Sequence, residues 1–410
     1  VMGKLAKRYR NILKTIVVVA CLTFPLATGY VRRRLPLAAA FEPIIPSRPS
    51  FLRVDDVSQK YPVTLMNKLF SSVPKREYAL QNINLSFGHF SVEEPLPASS
   101  SLQSTPAHPS TSHNACNNDL GIILLVGRSA SGKSTLLRIF SGIESQMEGN
   151  VSINHGTIIK CHTQKKNEIK TKNLLSYSWM NNGLPLYEDS INEKQCLVHP
   201  VILSGKPDFD DSLSVLERIV QLGIDAMQQC NNQQNMQQKR SSKENQPTEE
   251  ATTKVIQTLA QDFASLLTLM REQCEEVPSK LSPSGQYLFA LACGCIVSVA
   301  PSAASILDSN NIDHSKENSS DKDNHNTNGT TNDILADLVR GGIHYPILLL
   351  DELFDTEHSS IVQTCGEGML SLIRHGGVVI SATHKPEFFS NVAKRRVTLS
   401  GGKVLKDELY

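Results

Sequence analysis

Residues 127–134 read GRSASGKS, two glycines, a lysine and a hydroxyl at the spacing G-x-x-x-x-G-K-S. Gly127 and Gly132 permit a tight turn that aims backbone N–H groups inward, and Arg128, Ser129, Ala130 and Ser131 complete that cradle. Lys133 can reach the β- and γ-phosphates of a nucleotide, and the Ser134 hydroxyl can join a Mg²⁺ shell, with Thr135 next in the helix that follows. A second pair of groups, Asp351 and Glu352, stands directly after the apolar run ILLL. Asp351 is suited to holding the magnesium, directly or through water, and Glu352 to polarising a water aimed at the γ-phosphate. His384, closing GGVVISATH, can hydrogen-bond the γ-phosphate or orient the water and Glu352. Residues of these types call for a nucleoside triphosphate with magnesium, and for phosphoryl transfer to water.

Such groups work only if elements hold them together. IILLV (122–126) and ILLL (347–350) are apolar runs without alternation, the pattern of strands buried on both faces of a parallel sheet. Ligands in parallel α/β sheets bind at the carboxyl ends of such strands, where both groups of residues lie. Strand, Gly-rich loop and helix follow one another from Ile122 to Phe140, the context that a phosphate loop requires. GGVVISATHKPEF supplies a third strand, and TLSGGKVLKD predicts a hairpin turning at Gly401-Gly402.

The remaining sequence bounds the architecture. The 410 residues are 40% hydrophobic, enough for two or three domains of average size. Segments near 89–118, 228–250 and 305–331 are rich in Ser, Pro, Asn, Gln and charged residues and read as flexible insertions into one α/β domain spanning 50–410. With 41 basic and 40 acidic residues the net charge is +1, and no basic stripe calls for nucleic acid. Lys394, Arg395 and Arg396 read as a solvated patch. The nine cysteines lack the paired spacing of a zinc site, and Cys293 and Cys295 read as buried thiols in a helix. Residues 1–49 form a separate segment. An uncharged run from Thr15 to Val31, flanked by basic residues, is short for a span of roughly 20 residues and also suits a signal-like segment. It is expected to be a cleaved targeting sequence or a retained membrane anchor, and LPLAAAF (35–41) behind it looks like the bipartite plastid-targeting sequences of diatoms and related algae.

Taken in order, these stretches resemble the ATP-binding cassette (ABC) family of ATPase domains. GRSASGKSTLL is similar to its phosphate loop, with Ala130 where glycine is common, and YALQNINLSFG (78–88) to the strand region ahead of it. The resemblance places Tyr78 where an aromatic ring stacks on adenine, ILLLDELF on the magnesium strand, and His384 on the switch histidine. LSPSGQ (281–286) resembles the signature loop LSGGQ, with a proline extra or substituted. Ser282, Ser284, Gly285 and Gln286 would then face the γ-phosphate held by a partner domain, and Ser282 or Ser284 would cap the helix that follows. SLSVLERI (212–219) looks like the start of the helical subdomain. The pattern departs from the family at Leu353, at Tyr287, in FDTEH (354–358) where SALD is usual, and at the glutamine that completes the magnesium shell, for which Gln195 is a weak alternative. Trp179 and Met180 read as packing residues.

The resemblance implies a P-loop NTPase of ABC type, with a mixed central sheet, an antiparallel N-terminal β subdomain and a helical subdomain. It implies an ATPase using ATP and Mg²⁺, acting as a head-to-tail homodimer or heterodimer. One such domain and at most one span do not make a transport pathway, so transport requires separate multi-span membrane subunits. The ATP domain would face cytosol, stroma or matrix. A regulatory or assembly ATPase outside transport is the alternative, favoured by the altered signature. A metabolite kinase accounts for the phosphate loop but for neither Glu352 nor the 281–292 segment.

Overall fold

The apolar strands lack alternation because each separates two hydrophobic cores. The computed structural model describes residues 50–60, 78–88, 121–144, 146–154, 156–157, 180–181, 198–207, 211–237, 249–313 and 345–410. In chain order, β1 (Phe51–Lys60) and β2 (Tyr78–Gly88) precede β3 (Ile122–Val126), α1 (Lys133–Phe140), β4 (Glu148–Ile153), β5 (Gly156–Thr157), β6 (Met180–Asn181) and β7 (Val201–Ser204). Helices α2 (Val215–Gln237), α3 (Glu249–Leu266), α4 (Arg271–Glu275) and α5 (Pro283–Asp313) follow. The chain then returns through β8 (Ile347–Asp351), α6 (Ser359–Arg374), β9 (Val378–Thr383), β10 (Ala393–Ser400) and β11 (Lys403–Leu409).

Two sheets result. The seven-stranded sheet has the order β11-β10-β3-β9-β8-β7-β6. Strands β10, β3, β9, β8 and β7 pair in parallel, while β11 and β6 add antiparallel edges. The four-stranded sheet, order β2-β1-β4-β5, is antiparallel throughout. In β3, Ile122 and Leu124 point into a core shared with the helices, while Ile123 and Leu125 point into a core shared with α1 and the antiparallel sheet. Successive strand side chains face opposite ways, so a strand between two cores must be apolar at every position. Leu348 and Leu350 against Ile347 and Leu349 repeat the division in β8. The mixed sheet, antiparallel subdomain and helical layer agree with the expected fold class.

Helix α5 is the centre of the helical layer. From Tyr287 to Ala300 its side chains are buried all round, as an interior helix requires. It is long and apolar enough to cross a membrane, yet 94% of its apolar window is buried inside the protein, which makes it a core helix. Ser298 ties it to the sheet: its Oγ accepts from Ile347 N at 3.1 Å, and its carbonyl accepts from His199 N at 2.9 Å. Cys293 and Cys295 are buried in α5, as the sequence predicts, and Met180 is buried in the same core. The predicted hairpin forms as β10–β11, with Gly401 at φ 61° and Gly402 at φ 74°, the two left-handed residues such a turn needs.

Two expectations need correction. The insertions begin later than composition implied, since α2 continues to Gln237 and α5 to Asp313, while α3 starts at Glu249. A helix nucleated by a packed first half extends cheaply into polar sequence. The Lys394–Arg396 stretch is part of β10, and Arg395 is a structural tie. Its Nε and Nη2 donate to Asp407 at 2.8 Å and 2.6 Å, and its guanidinium stands 5.3 Å from the Phe87 ring centroid. Residues 1–49, which carry the targeting or anchor reading, together with Trp179 and Gln195, lie outside the described residues.

Candidate nucleotide site

The phosphate loop is built by the two strands beside it as much as by its own sequence. Gly127 follows β3, and a Cβ there would stand 2.3 Å from Leu399 O and 2.7 Å from Ser131 Oγ. Gly132 sits at φ 107°, and a Cβ would meet Ala79 O of β2 at 2.7 Å. Neither position admits a side chain. Gly402 N donates to Ser131 O at 3.1 Å, and Gln81 N donates to Gly402 O at 2.7 Å. The β10–β11 hairpin thus braces the loop against β2, a contact that residue order alone does not announce. Tyr78, half-buried at the start of β2, neighbours this junction, with Lys60 Nζ 5.1 Å from its ring centroid.

Arg128, Ser129 and Ala130 form the exposed crest of the loop, and Ala130 adopts φ 59°. Ser131 and Lys133 are buried, whereas Ser134 and Thr135 are half-buried on the first turn of α1. The helix N-cap is Gly132, which has no side chain to occupy the first-turn amides, so these remain donors for an anion. Ser131 Oγ is buried without a hydrogen-bond partner. Lys133 Nζ donates to Gly127 O at 3.1 Å. A buried ammonium between a loop carbonyl and the His384 ring, an orphaned hydroxyl and first-turn helix amides without a side-chain cap form a donor set that fits a phosphate chain.

Opposite this cradle, β8 and β9 deliver the acidic groups. Ser134 Oγ donates to Asp351 Oδ1 at 2.9 Å, bringing the two expected magnesium ligands together. Burial pushes the Asp351 carboxyl above its usual range, aided by the Glu352 charge, while the Ser134 bond, Arg138 and Lys133 oppose the rise. A carboxylate destabilised by burial next to a hydroxyl fits a hard divalent cation, which would restore its charge balance. Glu352 lies in the left-handed region at φ 56°, held by Glu352 N donating to Ala382 O at 2.9 Å. Non-glycine residues there carry a cost of about 1–2 kcal/mol, which tends to gather at functional sites.

Glu352 Oε1 is 3.0 Å from His384 Nε2, and Lys133 Nζ is 3.4 Å from the same nitrogen. Only one of these can be a hydrogen bond at a time. A protonated Nε2 donates to Glu352, and an unprotonated one accepts from Lys133. Lys133, Glu352 and His384 therefore form one contiguous group, with Ser134 and Asp351 beside it.

The LSPSGQ segment has a local explanation. Ser282 caps α5, its Oγ accepting from Gly285 N at 3.2 Å, and Pro283 is the first helical residue. Proline is favoured there because its missing N–H would have no partner inside the helix. Ser284 Oγ lies 3.2 Å from Ser282 Oγ, and Gln286 Nε2 donates to Leu281 O at 3.3 Å. Cys365 Sγ of α6 stands 3.7 Å from Ser284 O. Tyr287 Oη donates to Glu357 Oε1 at 2.8 Å, joining this helix to the loop behind Glu352. Ser214 starts α2 in a reciprocal cap: Ser214 N donates to Glu217 Oε2 at 3.0 Å, and Glu217 N donates to Ser214 Oγ at 3.4 Å.

Known proteins similar to this chain are of one kind. The family model described as ABC transporter matches residues 116–326, about half of the chain. The lipoprotein-releasing system ATP-binding protein LolD of Ehrlichia canis (strain Jake) is 34% identical over 104 residues, covering 24% of this chain and 43% of that relative's length. Among solved structures, the ADP conformation of the ATP-binding cassette MJ1267 has a TM-score of 0.44 at 12% identity, covering 88% of this chain and 92% of that one. The dimeric post-hydrolysis cassette MJ0796, bound to ADP and Pi, has a TM-score of 0.40 at 15% identity, covering 87% and 98%. With its phosphate loop seated between β3 and α1 and its acidic pair closing β8, the chain belongs to the ABC transporter family as an ATP-binding cassette ATPase domain.

Proposed function

We propose that this cassette binds ATP with Mg²⁺ and hydrolyses it as the nucleotide-binding subunit of a transporter whose membrane pathway is formed by separate subunits. The observation that carries the reading is the convergence of Lys133, the Ser134–Asp351 pair and the Glu352–His384 pair at the carboxyl ends of neighbouring strands. Amides of 127–132 and the Lys133 ammonium bind the phosphates, and Tyr78 stacks on the base. Ser134 and Asp351 hold Mg²⁺, which when bound neutralises phosphate charge and orients the γ-phosphate. Glu352 accepts a proton from the attacking water, and His384 holds Glu352 and the γ-phosphate in register.

Closure of two such domains supplies the mechanical step. Ser282, Ser284, Gly285 and Gln286 of one copy face the γ-phosphate on the other, offering hydroxyl and N–H donors without bulk. A triphosphate adds attraction across the interface that a diphosphate lacks, so hydrolysis reopens the pair. The likeness to LolD, whose name places it in a lipoprotein-releasing system, supports work beside membrane components.

The test compares wild type with Glu352→Gln for Mg-dependent ATP turnover and for dimer formation by size-exclusion chromatography. Turnover in the wild type, with a fall of about 100-fold and a stable ATP-bound dimer in the variant, is expected. Equal turnover in both would remove Glu352 from its role, and absence of dimers in both would favour a regulatory ATP-binding protein.

A further inference from the structure

The loop after Glu352 departs from the family pattern, and its acidic residue makes contacts that no part of the mechanism above uses. Asp355 is half-buried and faces the end of β9. Its Oδ1 accepts from Thr383 Oγ1 at 2.5 Å, and its Oδ2 accepts from His384 N at 2.9 Å. Thr383 Oγ1 in turn accepts from Lys385 N at 2.9 Å. On the backbone, Asp355 N donates to Glu352 O at 3.2 Å, and Glu352 N donates to Ala382 O at 2.9 Å. The segment bearing Glu352 and the segment bearing His384 are thereby closed into one hydrogen-bonded ring, 352–355 on one side and 382–385 on the other.

This ring answers a problem posed by exposure. The side chains of His384 and Glu352 are 41% and 45% exposed, so packing does little to hold their rotamers. Glu352 is also in a strained left-handed conformation that relaxes unless its neighbours hold it. A carboxylate taking an N–H and an O–H from adjacent residues makes two charge-assisted bonds, stronger than their neutral counterparts. Thr383 is 1% exposed, which anchors the ring in the core. One oxygen each from Glu352 and Asp355 and a ring nitrogen of His384 all lie within 4.8 Å of one another.

We propose that Asp355 is a positioning residue, a two-oxygen clasp that fixes the end of β9 so that His384 Nε2 meets Glu352. The proposal rests on the ATPase reading given above for its consequence, but the clasp itself is a ground-state property. Removing it should slow the chemical step far more than it weakens ATP binding, because the loop amides, Lys133, Ser134 and Asp351 stay in place.

The experiment uses the full chain and four forms: Asp355→Ala, Asp355→Asn, His384→Ala and the Asp355→Ala/His384→Ala double variant. Asp355→Ala is expected to lower kcat about tenfold with KM for ATP changed by less than about twofold, and Asp355→Asn, which keeps one acceptor oxygen, to recover part of the loss. In the His384→Ala background, removing Asp355 should cost less than about twofold, since residues acting as one unit are not additive. Hydrogen exchange at the His384 amide, followed by NMR without nucleotide, should accelerate at least about tenfold in Asp355→Ala. Additive losses, a KM that rises as kcat falls, or unchanged exchange would overturn the proposal. A wild type without turnover would sink the functional reading instead, and the exchange rates would still decide the clasp.

Discussion

His384 Nε2 stands between Glu352 Oε1 at 3.0 Å and Lys133 Nζ at 3.4 Å, so one nitrogen joins the carboxylate proposed to act on water to the ammonium proposed to bind phosphate. Its protonation selects the partner. Replacing His384 by Ala removes both contacts and leaves Ser134, Asp351 and the loop amides in place. ATP affinity should then change by less than about threefold, while steady-state turnover falls about 10²-fold. Isothermal titration together with phosphate release separates these outcomes.

Ala130 occupies a backbone region that L-residues avoid, at φ 59° on the exposed crest of the phosphate loop. Glycine there avoids the Cβ clash but is freer in the unfolded chain. The first effect is larger, so Ala130→Gly should stabilise the nucleotide-free domain by about 1 kcal/mol, read as a rise in the urea midpoint. A fall would mean that the loop relaxes elsewhere on substitution.

His199 precedes β7 and is buried against α5, where desolvation lowers its pKa from 6.5 to about 4. Unfolded chains bind a proton at this residue below pH 6.5, while the folded domain does not until about pH 4. Stability is therefore complete above pH 6.5, falls as pH drops through that window, and levels off below about 4. Between pH 7 and pH 5 the loss should be about 2 kcal/mol from this group. Equilibrium unfolding in urea across that range, beside His199→Gln, checks it. The variant should be flatter.

Ser282 has two separable roles. As the cap of α5 its hydroxyl accepts from Gly285 N at 3.2 Å, and Ser282→Ala should cost about 1 kcal/mol in thermal or urea unfolding. Ser282→Asp keeps the cap but brings a negative charge to a surface proposed to meet a γ-phosphate. Retained stability with lost ATP-driven dimerisation would separate the two roles. Dimers as abundant as in wild type would place the signature loop away from the partner's nucleotide.

The parts of this protein legible from residue order are those whose geometry is local. GRSASGKS carries its own turn, the apolar runs around it announce buried strands, and Gly401-Gly402 announces a hairpin. A serine cap at Ser282 or Ser284, of which the structure uses Ser282, and buried thiols at Cys293 and Cys295 follow from the same short-range rules. The polar tails of α2 and α5 are not legible in composition, because packing of the first halves of these helices is what carries the tails into helix.

Tertiary structure alone decided which distant residues share the site. Asp355 looked like a departure in a loop until β9 brought Thr383 and His384 to its two oxygens. Gly402 became a brace for the phosphate loop because β10 pairs with β3, and Tyr287 found Glu357 because α5 packs beside the loop after β8. Local conformation follows from steric rules acting over a few neighbours, which residue types encode directly. Hydrogen-bond partners across the sheet depend on strand order and register, and those are settled only when the two cores on either side of it are packed.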